Sequence, residues 1–176
     1  VVVGKEDSFG SNVDLGSLDG SDGFVLEGID EYDESGISVS SAGDVNGDGY
    51  ADILIGAYQG DPGGNNRAGE AYVVFGKGSS FAASVDLGAL DGSDGFVLDG
   101  IDADDYSGWS VSSAGDVNGD GYSDLLIGAP YADPGGESSG ETYMVFGKGS
   151  GFSANVDLGA LDGSDGFVLK GIDAND

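Results

Sequence analysis

Two stretches of this chain read Asp-Val-Asn-Gly-Asp-Gly-Tyr-x-Asp, at 44–52 and at 116–124. Each sets oxygen-bearing groups on alternate residues: Asp44, Asn46, Asp48, Tyr50 and Asp52 in the first, and Asp116, Asn118, Asp120, Tyr122 and Asp124 in the second. Alternate oxygens converge on one cation when the backbone curls around it, and calcium takes about six to eight oxygens at roughly 2.3–2.6 Å. Gly47 and Gly49, like Gly119 and Gly121, permit such a curl. Tyr50 and Tyr122 are expected to offer backbone carbonyls, which leaves their rings free. Magnesium suits these stretches less well, because it prefers rigid octahedral, partly hydrated sites. One such stretch would also read as an Asp/Asn/Gly turn without metal. Two copies in identical context favour the ion, so at least two Ca2+ are expected. Without a cation the three carboxylates of each loop would repel one another.

These are not EF-hand loops. An EF-hand closes with a bidentate Glu at position twelve and runs into a helix. Position twelve here is Ile55 or Ile127, inside an apolar run that reads as a strand, and the closing carboxylate is Asp52 or Asp124. The ion is therefore expected to clip a strand–loop–strand corner.

The elements that hold these corners come in a repeat. Val13-Asp14-Leu15-Gly16 returns at 85–88 and 156–159, offsets of 72 and 71 residues. Leu18-Asp19-Gly20-Ser21-Asp22-Gly23-Phe24-Val25-Leu26 returns from Leu90 and from Leu161, and Ser38-Val39-Ser40-Ser41-Ala42-Gly43-Asp44 returns from Ser110. Each unit holds strand patterns bounded by turn residues: 37–42 and 109–114; 52–57 and 124–129; 70–75 and 141–146; and 23–29, 95–101 and 166–172. Ile53-Leu54-Ile55 and Leu125-Leu126-Ile127 are continuously apolar, as in strands buried on both faces. No stretch carries a capped helical period. Four short strands per repeat predict an all-β chain of β-propeller-type, four-stranded antiparallel blades. The expected divisions are a hairpin of a preceding blade at 1–35, with Val1–Val3 against 23–29, and full blades at 36–107 and 108–176. Two blades do not close a ring, which takes about four to eight. Further blades or further copies of the chain are the expected partners. The sequence starts inside a strand pattern at Val1-Val2-Val3, as an excerpt or processed product of something longer would.

Composition narrows the function. Of 176 residues, 33 are Asp or Glu and five are Lys or Arg, giving a net charge of −28. That charge repels nucleic acid and anionic lipid, so neither is an expected partner. There is no Cys and no His, which removes disulfides, thiolate metal sites and His-based triads. No apolar run approaches membrane-spanning length. A carboxylate or Ser/Lys catalyst would need a pair set apart from the abundant turn aspartates, and none is. No enzyme is expected, and no catalytic residue is named.

The chain resembles the FG-GAP repeats of integrin α-subunit β-propellers and their bacterial relatives. The resemblance rests on Ser107-Gly108-Trp109-Ser110-Val111, on 115–124, on Leu125-Leu126-Ile127-Gly128-Ala129-Pro130, and on Tyr143-Met144-Val145-Phe146-Gly147. Gly128-Ala129-Pro130 spells the motif's second half, whereas the first blade has Gly56-Ala57-Tyr58, and Ser35 and Ser107 replace the motif's Phe. The resemblance implies that the loops join the first two strands of a blade, on the propeller face away from ligand. It also implies that calcium is structural and that the protein is extracellular or at the cell surface. The function expected is then a module for adhesion or for binding a protein or glycan ligand. The alternative is a structural repeat that tiles into a fibre, sheath or large oligomer.

Other residues carry plainer expectations. The Asp-Gly-Ser-Asp-Gly motifs (Asp19 and Asp22, Asp91 and Asp94, Asp162 and Asp165) read as turns whose side chains bond local backbone. Asp30, Asp33 and Glu34, like Asp102, Asp104 and Asp105, read as solvated acidic loops. Trp109 falls at an inward position and is expected in the core between blades. Tyr58 and Tyr131 are better candidates for exposed contacts, and Arg67, the only arginine, lies in a loop of variable length.

Overall fold

The computed structural model describes residues 1–4 and 12–175; part of the leading hairpin, 5–11, and Asp176 lie outside the described residues. Eleven strands run in chain order: β1 Val25–Glu27, β2 Ser38–Gly43, β3 Asp52–Ala57, β4 Glu70–Val74, β5 Ser84–Asp86, β6 Gly95–Asp99, β7 Ser110–Gly115, β8 Asp124–Ala129, β9 Glu141–Val145, β10 Asn155–Asp157 and β11 Gly166–Lys170. The only helical pieces among the described residues are three-residue 3₁₀ turns.

Strands β2, β3, β4 and β6 form one antiparallel sheet, and β7, β8, β9 and β11 form the next. Their registers match residue for residue: Leu54 faces Val73 and Phe96 along one row, and Leu126 faces Met144 and Phe167 along the equivalent row. Within β2 and β7 the register slips between Ser41 and Gly43 and between Ser113 and Gly115, a bulge that turns the strand into its loop. Among the described residues, the leading hairpin shows one bridge, Val2 with Gly23.

In the apolar run 53–55, Leu54 and Ile55 are buried on opposite faces while Ile53 is half-buried, and in 125–127 Leu126 is half-buried. Leu54, Val73, Phe96 and Leu98 pack with Leu125, Ile127, Tyr143 and Val145 of the second sheet and with Leu158 of the turn after β10. Ile55, Tyr72, Val74 and Leu87 form a second cluster on the opposite face, with Leu26, Ile53 and Phe81.

Two strands had no counterpart in the strand patterns. The Val-Asp-Leu-Gly repeat is a three-residue strand followed by a 3₁₀ turn whose Asp side chain caps it: Asp86 Oδ1 accepts from Gly88 N at 2.9 Å, and Asp157 Oδ1 from Gly159 N at 2.8 Å. These strands pair backwards and in parallel, β5 with β1 and β10 with β6. Each unit thus lends one strand to the outer edge of the unit before it.

Candidate metal centre

The loop from β2 to β3 winds around its first aspartate. Asp44 Oδ1 accepts from the amides of Gly47 at 2.7 Å and Asp48 at 3.1 Å, and Oδ2 accepts from Gly49 at 3.0 Å. Gly47 and Gly49 take φ of 74° and 89°, which an L side chain would resist. Asn46 Oδ1 accepts from Asp48 N at 2.9 Å, Asp48 Oδ1 accepts from Tyr50 N at 2.9 Å, and Asn46 Nδ2 donates to Asp48 Oδ2 at 3.1 Å. The second loop repeats every one of these bonds, with Asp116 Oδ1 accepting from Gly119 at 2.7 Å and Asp120 at 3.0 Å, and Oδ2 from Gly121 at 3.0 Å. Asn118 and Asp120 reproduce the rest.

The closing aspartates do something different. Asp52 Oδ2 accepts from Val45 N and Oδ1 from Gly76 N, both at 2.8 Å, so this side chain staples the loop's start to the end of β4. Asp124 holds Val117 N at 2.8 Å and Gly147 N at 3.0 Å in the same way. Both aspartates are buried, and burial pushes the Asp52 carboxyl up to about 6 against the pull of those two amides.

Asp, Asn and backbone carbonyl oxygens are the donors of a hard cation, and the loops carry no sulfur or imidazole. Donor type and the glycine-built curl are those a calcium loop would need. Among the described residues, no three carboxylates stand close enough to hold a metal between them; their oxygens are engaged by backbone amides instead. The two loops also differ in surroundings. The second blade pins the first loop: Asp44 N donates to Ser123 Oγ at 3.1 Å, Ser123 N to Asp44 O at 2.9 Å, and Lys148 N to Val45 O at 3.0 Å. Val45 is 1% exposed, whereas its equivalent Val117 is 53% exposed.

At the opposite end of the sheets, the connections that follow β3, β6 and β8 build a cleft of about 650 Å³. Trp109 is there and not in the core: it is 46% exposed, because the turn at Gly108 (φ 84°) carries it out of the strand's alternation. Tyr58 meets Trp109 edge-on at 4.7 Å between centroids, and Tyr106 meets Tyr131 at 5.2 Å. Arg67 pairs with Asp104 at 2.6 Å and lies 5.6 Å from the Tyr106 ring. Tyr58 and Tyr131 thus lie where contacts are available, and Tyr106 joins them without having been singled out in the sequence. Glu34 and Ile37 stand at the equivalents of Tyr106 and Trp109, so the preceding junction lacks these two aromatic rings.

The acidic loops are not uniformly solvated. Asp33 and Asp105 are buried. Burial first, then Asp102, drives the Asp105 carboxyl up to about 6. A folded value above the ordinary carboxylate range means that protonation favours the folded state. Asp105 contributes stability at low pH that is lost as pH rises through about 6. Trp109 is the only tryptophan and lines the same cleft, so its fluorescence should shift with a midpoint near pH 6. The Asp105→Asn chain should lack that shift; an identical midpoint in the variant would assign it elsewhere. The Asp-Gly-Ser-Asp-Gly motifs behave as turns: Asp19 Oδ1 accepts from Ser21 N at 2.9 Å and from its hydroxyl at 2.7 Å, which holds the carboxyl below its usual value.

Residues 35–74 and 107–144 match the model of the FG-GAP repeat. These two segments are FG-GAP repeats. Each FG-GAP sheet is a β-propeller-type blade, and the loops described above join its first two strands. Relatives include integrin alpha-5 of Xenopus laevis, 34% identical over 109 residues, which are 60% of this chain and 9% of that protein. Integrin alpha-6 of Gallus gallus is 31% identical over 110 residues, 62% of this chain and 9% of that one. Phosphatidylinositol-glycan-specific phospholipase D of Bos taurus is 32% identical over 134 residues, 76% of this chain and 15% of that one. The chain therefore spans a small part of each relative. The relatives include integrins and a phospholipase alike, so similarity of this kind by itself assigns no chemistry. Among the described residues, no helix is long and apolar enough to cross a membrane.

Proposed function

We propose that this chain is an extracellular or cell-surface FG-GAP module in which calcium is structural, and that it serves adhesion by binding a protein or glycan ligand. Asp44, Asn46, Asp48, the Tyr50 carbonyl and Asp52 would hold one ion, and Asp116, Asn118, Asp120, the Tyr122 carbonyl and Asp124 another. The observation that carries this reading is the identity of the two loops, bond for bond, around Asp44 and Asp116. A bound divalent cation would supply positive charge against three carboxylates per loop. The chain's own part is to curl the backbone at its glycines and to staple the corner through Asp52 and Asp124. The aromatic cleft, at the far end of the blades from the loops, supports the ligand-binding half of the reading, since exposed Trp and Tyr are common anchors at interfaces. We assign no catalytic residue.

Calorimetric titration tests the assignment. The chain should bind two calcium ions, with dissociation constants of about 10⁻⁴–10⁻³ M if they resemble other extracellular sites. The first loop, pinned by the second blade, should bind more tightly. Asp48→Ala or Asp120→Ala should leave one ion each. A stoichiometry unaltered by either substitution would remove these loops from the metal site.

A further inference from the structure

The cleft where the connections after β3, β6 and β8 meet lies over the seam between the two sheets. Its volume of about 650 Å³ falls within the range of small-ligand sites, about 300–1,000 Å³. Its floor is aromatic and half-open: Trp109 and Tyr131 are each 46% exposed. Their ring centroids stand 6.1 Å apart at 76°, which makes a corner. Neighbours hold both rings in place, Tyr58 meeting Trp109 at 71° and Tyr106 meeting Tyr131 at 64°. Rings fixed in this way lose little freedom when a ligand covers them. The polar groups around the corner are of both kinds. Tyr58 Oη donates to Glu34 Oε2 at 3.1 Å, and Asp133 Oδ1 accepts from Ser138 N at 2.5 Å. Among the described residues, the Trp109 indole N–H and the Tyr106 and Tyr131 hydroxyls donate to no protein group, and the Asp105 and Glu137 carboxylates accept from none.

We infer that this cleft binds a neutral glycan, with one hexopyranose ring laid against Trp109 and Tyr131 and its hydroxyls bonded by the indole N–H, the tyrosine hydroxyls and the Asp105 and Glu137 carboxylates. The inference rests on the ligand-binding half of the proposed function and narrows it. Each feature of the cleft answers one property of a sugar. A pyranose with mostly equatorial hydroxyls shows a ring face of C–H bonds, which packs on an aromatic face as other apolar surface does. Each hydroxyl both donates and accepts, so it needs donors and acceptors side by side. A bare metal ion fits less well, because among the described residues no three carboxylates gather around one point. An organic cation would pair with the carboxylates but would cover the indole and phenol donors without giving them an acceptor, and a covered donor left unpaired is costly. It would also meet Arg67, which lines the cleft and already pairs with Asp104. A nucleotide base would stack as well, but it brings phosphate, which a chain of net charge −28 repels. The same charge turns away sialic and uronic acids, so the glycan is neutral.

Fluorescence of Trp109, the only tryptophan, followed as lactose, cellobiose or N,N′-diacetylchitobiose is added to the 176-residue chain in one fixed calcium buffer, tests this. All three sugars carry rings with an open C–H face. At least one should saturate the signal with a dissociation constant of about 0.1–10 mM, weak because bonds to water are exchanged for bonds to protein. Tyr131→Ala, and Trp109→Ala read by saturation-transfer NMR of the sugar, should each weaken binding by about thirtyfold, as loss of an aromatic anchor does. Trp109→Phe, which keeps an aromatic face, should recover most of that loss. Melting of all three variants should match the unaltered chain, because both rings are half exposed. N-acetylargininamide at the same concentrations should leave the fluorescence unchanged. If none of the three sugars binds, or if a sugar binds Trp109→Ala and Tyr131→Ala as well as it binds the unaltered chain, the inference is overturned. If N-acetylargininamide alone binds, and needs Trp109 to do so, the cleft takes a cationic group of a protein ligand: the glycan is then wrong, while the adhesion reading stands. Neither result touches the calcium half of that reading, which is judged by ion stoichiometry.

Discussion

Chelation should lower the melting temperature of this protein by about 10–20 °C at low salt, and added calcium should restore it. Binding at 100 times the dissociation constant stabilises by about 2.7 kcal/mol per site, so two sites give about 5.5 kcal/mol. A chain of this size shifts by about 2–4 °C per kcal/mol. The cause is local and global at once. Each loop holds three carboxylates within a nine-residue turn, and the chain carries a net charge of −28, which opposes compaction. Ordinary screening would also help so acidic a protein, so the comparison needs sodium chloride at matched ionic strength. If sodium reproduces the calcium effect, or if chelator leaves the melting curve where it was, the loops are Asx-rich turns and no more. The hydrogen bonds of Asp44 and Asp116 to the backbone would then be their whole function.

Much of this was legible in the chain because it is written more than once. The loops, the blade strands and the strand buried on both faces come from patterns that recur in register, and their recurrence separates a designed corner from a chance turn. What was not legible depends on contacts between units. The strands at 84–86 and 155–157 hold one apolar residue each, Val85 and Val156, too little for any alternation, and their partners lie in the preceding unit. Trp109 was placed by parity along a strand, but a positive φ at Gly108 ends that parity one residue too early. Asp105 was read as solvated because acidic loops usually are; neighbouring blade surface buries it. Here the repeat did hold a signal, since Asp33 recurs at the same place in the preceding unit and is buried too.

Gly108→Ala should cost about 2–5 kcal/mol and should weaken the seam between the blades more than any single loop change. The residue sits at φ 84°, where a Cβ costs roughly 1–2 kcal/mol. That Cβ would also run into the carbonyl oxygen of Glu70 in the first blade, and backbone cannot step aside as a side chain can. Such overpacking typically adds about 1–3 kcal/mol. The repeat supplies its own control. Gly36 is the equivalent residue one unit earlier, at φ 91°, and a Cβ there meets nothing within 4 Å. Gly36→Ala should therefore cost only the conformational part, about 1–2 kcal/mol. The difference between the two midpoints in urea isolates the contact of blade on blade from the strain of the turn. Equal losses would mean that the chain yields at Gly108 without disturbing Glu70. The close approach of Gly108 to Gly56 and Glu70 would then be loose packing, and the two blades would hold together through Leu54, Val73 and Phe96 against Leu125, Tyr143 and Val145 and through the bonds of Asp44 and Val45 to the second blade.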